Sequence, residues 1–300
     1  MKKVLVTGAT GFIGRHCLDL LADQGFEIHA VHLGGPISAT SGVVWHECDL
    51  LAADRSAALM AKIKPTHMLH FAWYAVPNKY LTSIENIRWL QASLDLLINF
   101  EKHGGSRAVL AGTCAEYDWN YEYCSEETTP LRPQTLYGAC KNSLQQVLSQ
   151  FSRQTGISSA WGRIFFLYGS HEHPGRLVPY VICSLLQDKP AHCTHGNYVR
   201  DFLHVQDVAS AFVALLESAI TGPVNIASGS PVALEAVVNT IADKLDKREL
   251  VRFGQRPSES TEPGSLTAEV KRLNNEVGWT PTYDLDQGLA QTIAWWKDQR

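Results

Sequence analysis

The sequence predicts an α/β protein: a doubly wound parallel sheet followed by a smaller C-terminal substrate-binding lobe. Three observations carry this. A glycine turn at residues 8–14 stands between a β-branched run and an apolar helix pattern. Strand and helix patterns then alternate as far as residue 164, which argues for a parallel sheet covered by helices on both faces. Beyond residue 166 the texture changes, with prolines, glycines and histidines crowding residues 168–179.

Taken in order, residues 4–6 read as a strand, Gly8-Ala9-Thr10-Gly11-Phe12-Ile13-Gly14 as a turn, and Leu18, Leu20 and Leu21 as one helix that Gly25 ends. Residues 28–33 form a second strand. Strands at 68–71, 108–111 and 159–164 alternate with helices at 84–100 and 137–151. This is a Rossmann-type arrangement, and it assigns residues 1–165 to a dinucleotide-binding lobe, with a return segment near 200–230. Residues 166–300 are then chiefly a substrate lobe of loops and short helices, such as 233–245, with an irregular stretch at 257–263.

With 300 residues, 45% of them hydrophobic, the chain can bury a large core. A formal charge of −4 gives no basic footprint for nucleic acid and no polybasic membrane patch. Seven cysteines, an odd number without a C-x-x-C pair, argue against a disulfide framework and for a reducing cytoplasm. The apolar run after Met1-Lys2-Lys3 is broken by Thr7, Gly8, Thr10 and Gly11, so it does not read as a signal peptide. The apolar stretch 208–216 is too short to span a bilayer.

Glycines at 8, 11 and 14 let backbone N–H groups approach a pyrophosphate at the positive end of a helix. The G-x-x-G-x-x-G spacing differs from the G-x-G-x-x-G fingerprint, but the strand and helix context is right. The second strand ends in Val31-His32-Leu33, without the carboxylate that selects a ribose 2′-hydroxyl. Arg15 follows Gly14, where a guanidinium could pair with a 2′-phosphate. NADP(H) is therefore favoured over NAD(H).

Tyr137-Gly138-Ala139-Cys140-Lys141 puts a phenol and an ammonium one turn apart on one helix face. A neighbouring cation favours the phenolate, so Tyr137 can exchange a proton with a sugar oxygen while hydride moves at the attached carbon. Thr113 follows the strand 108–111, at the end where parallel sheets place their sites, and can hydrogen-bond the same oxygen.

The motifs TGATGFIG, Thr113 with YGACK, and RDFLHVQDVA together resemble the extended short-chain dehydrogenase/reductase family, in its nucleotide-sugar epimerase, dehydratase and reductase branch. The likeness runs to GWTPTYDLDQGL at residues 278–289. It implies a Thr113-Tyr137-Lys141 triad and an adenine contact at Asp49, beside Leu50. It also implies a cofactor loop at Phe71 and Ala72, with Phe165 nearby. Arg200 and Arg256 resemble the arginines that hold a nucleotide diphosphate, Arg176 lies in the matching substrate loop, and Tyr74 and Phe166 fall on the sugar side. The implied substrate is a nucleotide-diphosphate sugar.

Departures from the family pattern narrow the reaction. Its 4,6-dehydratases follow the triad Thr with Asp-Glu; here Cys114-Ala115 stands instead and cannot do paired-carboxylate chemistry. Ala115 occupies the position of the cysteine used in combined 3,5-epimerisation and reduction, with Cys114 one residue off. Phe166 replaces a frequent Asn. The expectation is NADPH-dependent reduction of a nucleotide-linked 4-keto-6-deoxyhexose at C4, in deoxysugar biosynthesis. The alternative is a 4-epimerase with tightly held NAD. Trp73-Tyr74 adds apolar bulk suited to a deoxygenated hexose.

The helix at 84–100 is apolar on two faces: Ile87, Leu90, Leu94 and Leu97 on one, Trp89, Leu96 and Phe100 on the other. One face would meet the sheet and the other a second subunit, giving a homodimer through 84–100 and 137–151. His171-Glu172-His173 lacks a third ligand at metal spacing and reads as a loop or substrate contact. Glu126-Glu127 reads as solvated loop, Cys140 as a packing residue, and Trp295-Trp296 as the packing of a last helix.

Overall fold

The structure, a computed structural model, describes residues 2–35, 37, 41–257 and 263–299. Its strands are β1 (Lys3–Thr7), β2 (Glu27–His32), β3 (Val43–Glu47), β4 (His67–His70), β5 (Arg107–Thr113), β6 (Tyr123–Cys124), β7 (Ser158–Ile164), β8 (Phe166–Tyr168), β9 (Ala191–His192), β10 (Val199–His204), β11 (Gly222–Ile226), β12 (Pro231–Ala233), β13 (Val251–Arg252) and β14 (Ser265–Ala268). The helices are α1 (Gly14–Asp23), α2 (Ala53–Ile63), α3 (Glu85–Lys102), α4 (Leu136–Thr155), α5 (Leu177–Leu186), α6 (Val205–Glu217), α7 (Leu234–Lys244) and α8 (Leu285–Asp298).

Seven parallel strands form the main sheet in the order β11-β7-β5-β4-β1-β2-β3. Strand order reverses between β1 and β4, and that switch point opens a crevice at the carboxyl ends of the strands. Both faces are buried, as the near-continuous apolar strands require. Val4 and Val6 pack with Cys17, Leu18 and Leu21 of α1 and with Val208, Phe212 and Leu216 of α6. On the other face Leu5 joins Met60 of α2, Leu96 and Phe100 of α3, and Leu144 and Leu148 of α4.

The second half of the chain is more ordered than its loop-rich texture implies. It holds a smaller sheet, β12-β10-β14-β6, with β8 beside β10, and a separate β13-β9 pair. α5, α7 and α8 cover it through Val181, Ile182, Leu185, Val238, Ile241 and Leu289. These strands run two to six residues and mix charged with apolar positions, so no alternation announces them. β10 leads back into α6, and β11 completes the main sheet; in the other direction β6 leaves the first half to join the smaller sheet. Of the irregular stretch at 257–263, residues 258–262 lie outside the described residues.

In α3 the two apolar stripes do not split as the periodicity suggests. Leu96, Leu97 and Phe100 are all buried in the same cluster, with Trp89, Leu90 and Leu94 packed against it. The exposed apolar side chains are Ile87 and Ile98, together with Ile84 just before the helix. Among the described residues no helix is long and apolar enough to cross a membrane.

Candidate active site

The glycine turn is built by steric exclusion. Gly8 has φ +67°, and a β-carbon there would lie 2.8 Å from the Ala72 nitrogen. A β-carbon on Gly14 would lie 2.3 Å from the Gly8 carbonyl oxygen, which itself accepts the Gly11 N–H at 2.9 Å. No side chain caps the start of α1 and no acid sits in its first turn, so the positive end of the helix carries no side-chain anion of its own, although the Arg15 and His16 N–H groups donate to the Gly11 and Ile13 carbonyls. Thr10 is exposed at the tip, with Phe12 and Ile13 half-buried.

The floor is β1 and β4. Thr7 Oγ1 pairs with His70 Nδ1 at 2.7 Å and accepts the Ala72 N–H at 3.2 Å, holding the chain after Phe71 against the turn. Phe71 meets Phe212 edge to face. At the adenosine end of the crevice, Asp49 follows β3 and accepts the Leu51 N–H at 3.0 Å, and Leu50 is buried. His32 sits edge-on to Trp45, and its Nδ1 has no protein partner.

Arg15 does not reach toward that end. Its guanidinium donates to the carbonyls of Thr10 (2.6 Å) and Gly11 (3.1 Å) and to His171 Nδ1 (2.6 Å). Those bonds turn it toward the loop after β8, where His171 lies against Trp295 with ring centroids 4.5 Å apart. The place after Gly14 offers Arg15 to a 2′-phosphate; in this structure its guanidinium is engaged by these three partners.

The residues read as the triad lie across the crevice. Thr113 ends β5; its Oγ1 accepts the Ala115 N–H at 3.2 Å, and the hydroxyl stands near enough to the Tyr137 phenol to pull its pKa down. Tyr137 is in the first turn of α4, begun by Thr135 capping the Gly138 N–H at 3.1 Å. Gly138 lets that turn approach: a β-carbon there would be 2.3 Å from the Ala115 oxygen.

Lys141, one turn on, is 3% exposed. Its Nζ donates to the Ala111 carbonyl at 2.8 Å and sits 3.9 Å above the Trp73 ring, an indole fixed by its own N–H bond to Asn86 Oδ1 at 2.8 Å. Burial lowers its pKa to about 7, and the Glu116 carboxylate works against that fall. Tyr137 is pushed up by burial and by Tyr80, against the Thr113 hydroxyl, which pulls it down. Lys141, which the sequence offers as the cation that lowers the phenol, is engaged by Ala111 and Trp73 and is not among the groups that pull Tyr137 down.

On the substrate side, Arg200 is 2% exposed, its guanidinium 5.1 Å from the Phe166 centroid and 5.0 Å from that of Tyr198. Arg256 lies 4.0 Å over Tyr180 and Arg176 5.3 Å over Tyr80, both of them exposed. Tyr80 meets Tyr137 edge to face at 5.0 Å, so Arg176 stands one ring away from the triad tyrosine. Tyr74 is half-buried and Phe165 buried.

Sequence reasoning passed over Tyr80 and Glu116, which carry no motif of their own. It also read Glu126 as solvated; in fact Glu126 Oε1 accepts the Asn225 N–H at 2.7 Å and burial pushes its pKa up. Within His171-Glu172-His173, Glu172 is buried and burial raises its carboxyl to about 8.

A glycine-cradled helix start facing a Thr-Tyr-Lys centre across a switch point defines a dinucleotide-dependent protein of the Rossmann class. Comparison with known proteins narrows this. Residues 4–227 match the NAD dependent epimerase/dehydratase family, and the chain belongs to it. It is 27% identical over 321 residues to UDP-glucose 4-epimerase of Azospirillum brasilense, covering 98% of this chain and 92% of that protein. It is 25% identical over 307 residues to UDP-glucuronic acid decarboxylase 1 of Danio rerio, covering 98% and 72%. The UDP-glucose 4-epimerase of Thermotoga maritima, solved with UDP-glucose, superposes with a TM-score of 0.90 at 22% identity, covering 99% of both chains. MoeE5, solved with UDP-glucuronic acid and NAD, superposes at 0.87 with 26% identity, covering 99% of this chain and all of that one.

Proposed function

We propose that the protein is an oxidoreductase-type enzyme working at C4 of a nucleoside-diphosphate hexose, and that its net reaction is 4-epimerisation with a retained NAD. The observation that carries the C4 chemistry is the centre itself: Thr113, Tyr137 and Lys141 are gathered, while Cys114 and Ala115 stand where a dehydratase needs two carboxylates. Such a centre moves one hydride and one proton at C4 and lacks the carboxylate pair of a dehydratase. The cofactor fits the glycine cradle and the uncapped start of α1; when bound it supplies the hydride acceptor and donor.

Thr113 orients the C4 oxygen by hydrogen bonding. Tyr137 takes its proton and later returns one. Lys141 supplies the positive charge that makes a phenolate tolerable, once a ribose hydroxyl competes with Ala111 for its protons. Arg200 and Arg256 are suited to the diphosphate, and Arg176 to the sugar side.

The choice of epimerase over 4-ketoreductase is supported by Arg15, whose guanidinium is engaged by Thr10, Gly11 and His171. The reductase reading keeps two supports, the absence of a carboxylate in Val31-His32-Leu33 at the end of β2 and the apolar bulk of Trp73-Tyr74 beside the sugar position. We also assign the exposed Ile84, Ile87, Ile98 and Val147, along α3 and α4, to contact with a second copy.

The test is to denature the purified protein, identify the nicotinamide released, and incubate intact protein with UDP-hexoses and UDP-hexuronates. A 4-epimerase yields NAD and an epimer without net redox change. Net oxidation of added NADPH by a 4-keto-6-deoxy sugar would replace this reading with the reductase.

A further inference from the structure

Behind the triad lies a second, fully buried layer. Glu116 is 0% exposed, and its Oε1 accepts the Thr113 N–H at 2.8 Å and the Trp161 indole N–H at 2.9 Å. Its Oε2 accepts from Arg163 Nε at 2.7 Å, closing an ion pair in which Arg163 is 1% exposed. Trp161 lies between this carboxylate and the lysine, with Lys141 Nζ 5.9 Å from its ring centroid. Gly112 makes room for it: a β-carbon there would be 2.1 Å from the indole nitrogen.

We propose that Glu116 is the positioning residue of this centre, holding Thr113 by its backbone and Lys141 by its charge through the Trp161 indole. The inference rests on the C4 reading above. A buried ion pair is weak support for stability, since well-packed apolar residues can replace one without loss. Here the carboxylate has a further use, because its three donors include Thr113 of the triad and Trp161, whose ring faces Lys141. An indole whose N–H is bound by a carboxylate also presents a more negative face to a cation.

Among the described residues, few charged and titratable groups face Lys141 and Tyr137. They are His70 from β4, Tyr80 from the segment before α3, Cys114 and Glu116 from the turn after β5, and Arg163 from β7 behind Glu116. Glu116 is the carboxylate among them, and it raises the pKa of both Lys141 and Tyr137. Removing its charge must lower both, whichever group limits turnover. A change that only loosened the fold would reduce activity without moving the pH limbs.

The experiment is a ¹³Cε-lysine NMR titration of the wild-type protein, Glu116→Gln and Glu116→Asp, with Lys141→Met assigning the resonance, beside pH–rate profiles on UDP-hexoses. The Glu116→Gln protein should titrate Lys141 at lower pH and move the pH–rate limbs the same way, with kcat falling more than KM changes. Glu116→Asp should restore the titration. If Glu116→Gln does not fold, Trp161→Phe, which removes the indole N–H that the carboxylate holds, is titrated in its place and should likewise move Lys141 to lower pH. An unmoved Lys141 resonance in a folded variant overturns the proposal. No turnover of UDP-hexoses by the wild-type protein, with the Lys141 resonance moved in Glu116→Gln, overturns the C4 reading instead.

Discussion

The phosphate turn and the reaction centre face each other across one crevice and are built by opposite means. The turn is made of backbone: Gly8 and Gly14 are demanded by contacts of 2.8 and 2.3 Å that a β-carbon could not survive. The centre is made of side chains taken from water, where burial pushes Tyr137 up and Lys141 down to about 7. Backbone geometry is set by one short segment; buried electrostatics are set by strands and helices far apart in the chain. Substitutions should therefore fail in different ways on the two sides.

The largest effect is expected on the side-chain half. Tyr137→Phe removes the only group placed to exchange the proton, and kcat should fall by about 10²–10⁴-fold. Cofactor affinity should stay within about threefold, a free-energy change of about 0.6 kcal/mol. Turnover by progress curves and nicotinamide binding by fluorescence titration check the two numbers separately. A variant that lost cofactor and kept its turnover per bound cofactor would erase the division of labour.

On the backbone half the pattern reverses. Gly14→Ala should weaken NAD binding by about tenfold to a hundredfold, about 1.4–2.7 kcal/mol, with the fold retained. At saturating cofactor, kcat should be nearly untouched. The same titration decides it, and undiminished affinity would mean that the start of α1 takes no pyrophosphate.

The asymmetry also governs what could be read in advance. Glycine spacing at 8, 11 and 14 and the four-residue step from Tyr137 to Lys141 are local, so the cradle and the triad were both legible. The direction of Arg15 was not, because His171 comes from the loop after β8, which no local pattern places beside α1. Glu116 escaped for a similar reason: Arg163 and Trp161 lie on β7, forty-odd residues away, and only the parallel pairing of β5 with β7 brings them together. The small sheet escaped because strands such as Val199–His204 interleave Arg200 and Asp201 with apolar residues. Those polar side chains are buried and satisfied by partners elsewhere, Asp201 by Ser228 and Gly229.

A third, smaller effect separates function from stability at Lys141. Its native pKa, about 7, lies below the ordinary lysine value of 10.5. Between those values the unfolded chain holds more protons than the native one, so native stability rises as pH increases from about 7 to about 10.5. Below that window the native state carries a buried ammonium at a cost. Lys141→Met should abolish turnover yet melt a few degrees above wild type near pH 6, about 1 kcal/mol. That advantage should shrink as pH climbs through the window. Melting curves of both proteins from pH 6 to 10 check it; an advantage that grew with pH would reverse the assignment.

The smallest effect belongs to Cys114, which lies beside Thr113 and so invites a chemical role. Its side chain packs with Tyr117, Phe165 and Leu266, and burial, followed by Cys124, pushes its thiol up to about 12. At neutral pH that leaves about one thiolate in 10⁴–10⁵, far too few for a nucleophile or base. Cys114→Ala should therefore change kcat by less than about threefold and cost about 1 kcal/mol from the small void left behind. Loss of more than tenfold in kcat with an unchanged melting curve would make the thiol part of the chemistry and not of its wall. The centre would then hold four working groups, and the reading of Cys114-Ala115 as an inert substitute for a carboxylate pair would fail with it.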